Sequence, residues 1–507
     1  MRRRQLRARQ ALSGRARPAA APQAMATEIP SAVTMPDSIE TRLGELRFND
    51  GFPDDVTVEK VYDNLDFQRG VQAFLSAMPA ASLRAMREGI RKFGPDNRTV
   101  ILFETLMDSR SLFLTATAET PYAMAWLNLK GGPVVVETPP NTVGVVDDFW
   151  FRYVSDFGAS GPDRGKGGHY LFLPPDFHGD PPKGYFAYRS RTFGNWLLAR
   201  CFPDKADPES AVRHVKERLR IYPLAEAIDP PPTNHVNVSG TAFNTVHSSD
   251  FSYFLELDQV VQEEPPDAMD SETLGFLAAI GLKKGETFAP DDRMRLILSE
   301  AAHVASATAR AIAYRSRSKD AYLYENSAWC SPVSSNHEFV DNGASQMDAR
   351  TFYFFCSTGV TPTMTDQKVG QGAQSALAFV DSRGQPLSGS KTYRLRLPRD
   401  IPAEQLWSVA VYDTQTRSML QTNQQFPSVS SRKFGLAINP DGSVDVYFGP
   451  KAPSGKSANW IQTCRGKGWA AILRLYKPRE AWFSRTWRPG EIEEYAVPRK
   501  AKVRGRS

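Results

Sequence analysis

Seven short runs rich in β-branched and aromatic residues, at 100–103, 123–129, 134–137, 142–146, 150–154, 170–173 and 185–188, follow one another at roughly ten-residue spacing and are broken by Pro and Gly. Strands this short bury enough apolar surface only when sheets stack or close, so this part of the chain predicts a β-sandwich or barrel. Before it, Val61, Leu65, Val71, Phe74, Leu75 and Met78 recur at spacings near three and four, as one face of a helix does. After it come helical stretches at 209–222, 271–280 and 291–315. The last opens on Pro290-Asp291 and carries the stripe Met294, Ile297, Leu298, Ala301, Ala305, Thr308 and Ile312. Alternation returns from Thr351, at 393–397, 407–412, 443–448 and 470–476, with Asn439-Pro440-Asp441-Gly442 reading as a hairpin turn. The expected fold is mixed and mainly β, two antiparallel β units joined by a helical segment. Expected boundaries are a tail over 1–55, an N-terminal β domain with helical entry over 56–205, a helical connection over 206–320, a C-terminal β domain over 321–498 and a basic tail over 499–507.

The 507 residues carry a formal charge of +6, which would suit a nucleic-acid or anionic-membrane partner if it covered one face. It lies at the ends instead: seven Arg fall within 1–24 and five Lys or Arg within 499–507, with no acid in either stretch. Of the 62 basic residues, the 50 that remain face 56 acidic ones, so the body is net acidic and no nucleic-acid partner is expected. No apolar run approaches the ~20 residues of a bilayer helix, so no membrane span is expected. Cys201, Cys330, Cys356 and Cys464 are scattered, without a C-x-x-C pair or a neighbouring His, which predicts neither structural zinc nor a disulfide framework. Arg2-Arg3-Arg4 has the form of a twin-Arg export signal, but Arg15, Arg17, Pro18 and Pro22 occupy the place of its apolar region. As written the chain is expected in the cytoplasm with residues 1–24 disordered. If translation starts at Met25 and the head is an artefact, a periplasmic or secreted location follows.

Familiar catalytic motifs fail on inspection. Gly449-Pro450-Lys451-Ala452-Pro453-Ser454-Gly455-Lys456-Ser457 has five residues between its glycines, and its prolines remove amides that would cradle phosphate. Gly370-Gln371-Gly372 lacks the third glycine of a dinucleotide fingerprint. No cofactor or metal is therefore expected. His235 and His247 fall in the stretch densest in polar chemistry. His247 with Asp250 three residues on gives candidate catalytic residues, a general base oriented by a carboxylate, against the plainer reading of a loop that satisfies backbone groups. Asp148 and Arg152, four apart, would share a strand face and make an ion pair or a binding group.

Other residues carry a resemblance. Tyr393-Arg394-Leu395-Arg396-Leu397-Pro398, Trp407 through Asp413, Thr416 through Leu420, Tyr447-Phe448-Gly449-Pro450, Asn459-Trp460-Ile461-Gln462-Thr463 and Gly466-Lys467-Gly468-Trp469 resemble the C-terminal module of a bacterial family of paired domains of unknown function, 1254 and 1214. Thr120-Pro121-Tyr122, Ala125-Trp126-Leu127-Asn128-Leu129, Gly132-Pro133-Val134-Val135 and Gly168-His169-Tyr170-Leu171 are similar to the N-terminal partner. The resemblance implies two jelly-roll-like β-sandwiches joined by helices and assembled as a homo-oligomer; it implies no established reaction. Many members carry an export signal, and this chain departs from that pattern.

The candidate ligand-binding residues are Tyr122, Trp126 and Arg152 in the first module and Tyr412, Asp413, Arg417, Asn459 and Trp460 in the second. Asp and Arg near a strand end are costly to bury unless paired, and loops at the end of a sandwich commonly carry function. Three readings follow: a hydrolase or lyase acting on a small polar molecule, a carbohydrate or small-ligand binder using Trp and Tyr as flat apolar area, and an assembly protein with capsid-like sandwiches. A pocket holding a carboxylate or His of displaced pKa favours the first, an aromatic shelf the second and a large apolar face the third.

Overall fold

The computed structural model describes residues 27–201, 208–332, 336–365 and 368–496. The basic stretches 1–24 and 499–507 and the start at Met25 lie outside them. Two compact units are present, one up to Leu65 and one from Asp66 onward.

In the first unit β1 (Ser38–Thr41), β2 (Gly44–Asn49) and β3 (Phe52–Pro53) form a meander where the sequence suggests only a tail. Asp50 and Gly51 both take positive φ, 51° and 84°, the two-residue turn whose twist matches a hairpin. The long helix α1 (Asp55–Arg91) begins behind Asp54, whose carboxylate accepts the Thr57 amide at 2.7 Å.

The second unit contains two stacked pairs of sheets. The first pair uses β4 (Thr99–Leu102), β5 (Tyr122–Asn128), β6 (Val134–Thr138), β7 (Thr142–Asp148), β8 (Tyr153–Gly158), β9 (Gly168–Leu173), β10 (Phe186–Arg189), β11 (Gly194–Cys201), β12 (Arg220–Pro223) and β13 (Asn234–Asn237). Its six-stranded sheet runs β13-β4-β5-β11-β7-β8 and its four-stranded sheet β10-β9-β6-β12. Between them lie Val100, Ala125, Leu127 and Leu197 from one sheet and Val134, Val136, Phe172 and Ile221 from the other, closed by Ala211 and Val215 of α2 (Pro208–Arg218). β11 was not anticipated, although it sits at the centre of the larger sheet. Residues 150–152, expected in a strand, form a turn ahead of β8, and 220–223, expected at the end of a helix, form β12.

Helices α3 (Ser252–Glu263), α4 (Ser271–Ala279), α5 (Asp292–Tyr314), α6 (Met347–Cys356) and α7 (Pro362–Thr365) follow, with a short hairpin of β14 (Val340–Asp341) and β15 (Ala344–Ser345) before α6. Alternation was expected from Thr351; that segment belongs to α6. Asp291 caps α5, accepting the Met294 amide at 2.8 Å.

The second sandwich uses β16 (Ala373–Ala378), β17 (Tyr393–Leu397), β18 (Ala403–Asp413), β19 (Ser428–Ser430), β20 (Val444–Gly449), β21 (Trp460–Gln462), β22 (Trp469–Pro478) and β23 (Ile492–Glu494), with the short α8 (Glu480–Phe483) after β22. The sheets run β16-β22-β18-β19 and β21-β20-β17-β23. The turn at Asn439–Gly442 closes, with the Gly442 amide on the Asn439 carbonyl at 2.9 Å, but it leads into β20 rather than joining two paired strands. Pairing is mainly antiparallel, with parallel partners for β4, β9 and β20 at sheet edges.

Alternation along β18 sends Val409 and Val411 into the sandwich, while Ala410 and Tyr412 point the other way. β5 does the same, with Ala123 and Ala125 inward and Met124 and Trp126 outward. Those outward faces are also buried. With Phe74 and Met78 of α1, Leu257 of α3 and Leu298 of α5 they make a third core, so both sandwiches bury both faces of one sheet.

Candidate functional site

The sequence candidates divide into three sets: residues scattered through the two sandwiches, and two groups that the fold brings together. Asn459 and Trp460 pin loops of the second sandwich: Asn459 bonds both the amide and the carbonyl of Ala437 at 2.9 and 2.7 Å, and the Trp460 indole donates to the Gly449 carbonyl at 2.9 Å. Trp126 is core, 4.9 Å from the Phe149 ring centroid. Arg152 pairs with Asp148 at 2.6 Å. A tight turn through Phe151, φ 53°, brings them together, and Asp148 also accepts the Trp150 amide at 2.8 Å.

His247 and Arg417 form the second set. Each comes from a different sequence cluster, yet Arg417 is the main charge lowering the His247 pKa after burial, which together push it down to about 4. The His247 Nδ1–H donates to the Ser248 carbonyl at 2.7 Å, which leaves Nε2 a bare acceptor in the neutral ring, and that atom has no hydrogen-bond partner. Asp250 is exposed and accepts the Ser252 amide at 2.9 Å, so it caps the approach to α3 while a carbonyl orients the His. Arg417 lies over the Phe355 ring at 4.2 Å and donates to the Phe355 and Gln415 carbonyls at 3.1 and 2.6 Å. Its expected partner Asp413 is taken by Lys467 at 2.6 Å. Burial lowers the Arg417 pKa to about 10.

The third set brings Tyr122 and Tyr412 together around residues 115–119. The Tyr412 hydroxyl donates to the Ala116 carbonyl at 2.6 Å and accepts from Arg474 at 2.5 Å, while the other end of the Arg474 guanidinium holds the Thr115 carbonyl. Tyr476 donates to the Thr117 hydroxyl at 2.9 Å, and the Tyr122 hydroxyl accepts the Thr117 amide at 3.3 Å. The first module thus presents this segment and the β18 and β22 strands of the second hold it.

Beside that segment opens a cleft of about 550 Å³, lined on one side by Leu106, Ala118, Glu119 and Pro121 and on the other by residues of 424–433, among them Gln424, Phe426, Ser428, Ser430 and Arg432. Burial raises the Glu119 pKa, against the opposing pull of the Ser430 hydroxyl, Arg432, Arg474 and the Ser428 hydroxyl. Asp147, Asp156 and Glu264 also have raised values, the last two to about 6 and about 7, but they are engaged in holding the fold. Asp147 accepts the Val360 amide at 2.9 Å, Asp156 the Thr363 hydroxyl at 3.1 Å and Glu264 the Phe193 and Gly194 amides at 2.5 and 2.9 Å. Of these four acids, Glu119 is the one in the lining of the cleft of about 550 Å³.

Neither Glu119 nor Arg474 was singled out from the sequence. Glu119 sits in an irregular segment with no motif, whereas Arg474 left a trace as a lone guanidinium inside the apolar run Ala470-Ala471-Ile472-Leu473-Arg474-Leu475. Among the described residues no three His, Cys, Asp or Glu side chains stand together as metal ligands, and no helix is long and apolar enough to cross a membrane.

Two families described as proteins of unknown function match the chain, DUF1254 over residues 97–223 and DUF1214 over residues 372–480. No protein of curated function matches it. Among solved structures, the VPA0106 protein from Vibrio parahaemolyticus is similar at 17% identity and TM-score 0.52, covering 85% of this chain and 100% of its own, which speaks for a shared fold alone. A putative uncharacterized protein from Burkholderia cenocepacia aligns at 12% identity and TM-score 0.38, over 86% of this chain and 96% of its own.

Proposed function

We propose, starting from a chain that carries the paired DUF1254 and DUF1214 regions in that order, that the cleft beside Glu119 binds a small polar molecule and that Glu119 moves a proton on it, as in a hydrolase or lyase. The observation that carries the reading is a single acid in a cleft lining, with its proton favoured by burial and with hydroxyls and guanidinium groups beside it. A carboxyl whose pKa is raised toward the working pH both gives and takes a proton efficiently. Arg432, on the cleft wall, is placed to balance negative charge that develops on a reacting oxygen. A second reading, a carbohydrate or small-ligand binder, is favoured by Phe426 and Gln424 in the same lining, an apolar ring next to an amide with both donor and acceptor.

The experiment is a thermal-shift screen of small polar compounds, followed by mass analysis of any compound that stabilises the protein. On the enzyme reading the wild type converts its ligand, and Glu119→Gln keeps the stabilisation while turnover falls at least ~100-fold. Stabilisation without conversion in either protein would select the binding reading. Equal turnover by Glu119→Gln would remove Glu119 from the chemistry.

A further inference from the structure

A second pocket, of about 500 Å³, lies among α1, α5 and α6 and shares no lining residue with the Glu119 cleft. All of its lining residues fall outside the two family-matched regions. Its wall is apolar where Val71, Leu75, Ile312 and Met347 meet, and its rim carries Arg315, Arg317 and Arg350 against one acid, Asp348. That acid is already committed to Arg317 at 3.2 Å. Arg315 and Arg350 have no carboxylate within ion-pair distance among the described residues. Arg350 is fixed by donating to the Ser76 carbonyl at 2.6 Å. The acid that acts on it electrostatically, Asp270, is occupied at the start of α4, where it accepts the amide and hydroxyl of Thr273, both at 2.8 Å. Arg152 adds a further positive charge toward Arg350.

Guanidinium groups with no carboxylate in ion-pair contact, lining an apolar recess, match a molecule with one anionic end and a hydrocarbon body. The planar fork suits a carboxylate, and the recess has the size and mixed lining of a small-molecule site. We propose that this pocket binds an amphipathic monocarboxylate, with Arg350 and Arg315 on the head group and Val71, Leu75 and Ile312 along the tail. The site is independent of the chemistry assigned to Glu119.

The test is calorimetric titration of the full chain with octanoate and, separately, with 1-octanol, which has the same tail and no charge. Octanoate should bind at one site per chain, 1-octanol at least tenfold more weakly, and Arg350→Gln should weaken octanoate at least tenfold while Glu119→Gln leaves it unchanged. Equal affinity for the alcohol, no saturable octanoate binding, or unaltered binding by Arg350→Gln would overturn the assignment. So would loss of binding in Glu119→Gln, which would place the anion in the other cleft. If Arg350→Gln does not fold, the double variant Arg315→Gln/Arg317→Gln, both positions exposed, replaces it with the same two outcomes.

Discussion

His247 is a buried base that folding holds neutral, and this ties its protonation to stability. Its pKa is lowered from 6.5 to about 4 in the folded chain, so below pH 6.5 the unfolded chain takes up a proton that the folded chain refuses. Its contribution is present in full above pH 6.5 and is lost as pH falls through 4, an effect of up to about 3 kcal/mol. Chemical denaturation from pH 7 to 4 should show a shallower loss of stability in His247→Gln than in the wild type; parallel curves would mean that the ring is protonated in the fold. The polar side chains that matter were partly legible in the sequence. His247, Asp413, Arg417, Tyr122 and Tyr412 were singled out from local patterns, but their partners were not, because Lys467 reaches Asp413 from 54 residues away and Arg474 reaches Tyr412 from 62. Spacing along a chain cannot report such approaches.

At the scale of elements, α5 packs its Leu298 and Ala301 side chains directly on the backbone of α1 at Gly70. A Cβ on Gly70 would lie 2.9 Å from the Ala301 Cβ and 3.0 Å from a Leu298 methyl, closer than carbon atoms pack. Gly70→Val should therefore cost about 2 kcal/mol from overpacking, in spite of its better helix propensity. Gly275 on α4 has nothing within 4 Å of its missing Cβ, so Gly275→Ala should stabilise by up to ~1 kcal/mol. A Gly70→Val melting temperature at or above that of the wild type would contradict the close approach, and a lowered one for Gly275→Ala would contradict the open space there. Strands with one face in a sandwich and short turn-bounded runs were readable from alternation. β11 escaped because Trp196, Leu197 and Ala199 are all buried, which erases the period of two. α6 escaped for the same reason, since every residue from Thr351 to Cys356 is buried and neither period survives.

At the scale of the whole molecule, the third core decides how the second unit unfolds. Met124, Trp126 and Trp196 from one sandwich and Ala410, Tyr412 and Ile472 from the other share it with the helices, so neither sandwich can lose its partner without exposing the outer face of a sheet. Scanning calorimetry should give one cooperative transition for residues 66–496; two resolved transitions would show that the sandwiches are stable alone. The clasp of Arg474 on Thr115 has a consequence for synthesis. At roughly 5–20 residues per second the ribosome needs on the order of tens of seconds to make the intervening chain. Until β22 emerges, both cleft walls and the Tyr412 contact from β18 are already made, but residues 115–119 lack the Arg474 and Tyr476 contacts that complete their hold. A stop between Lys433 and Trp469 therefore yields a chain with both walls of the cleft and without the β22 clasp that ties the segment behind it to the second sandwich.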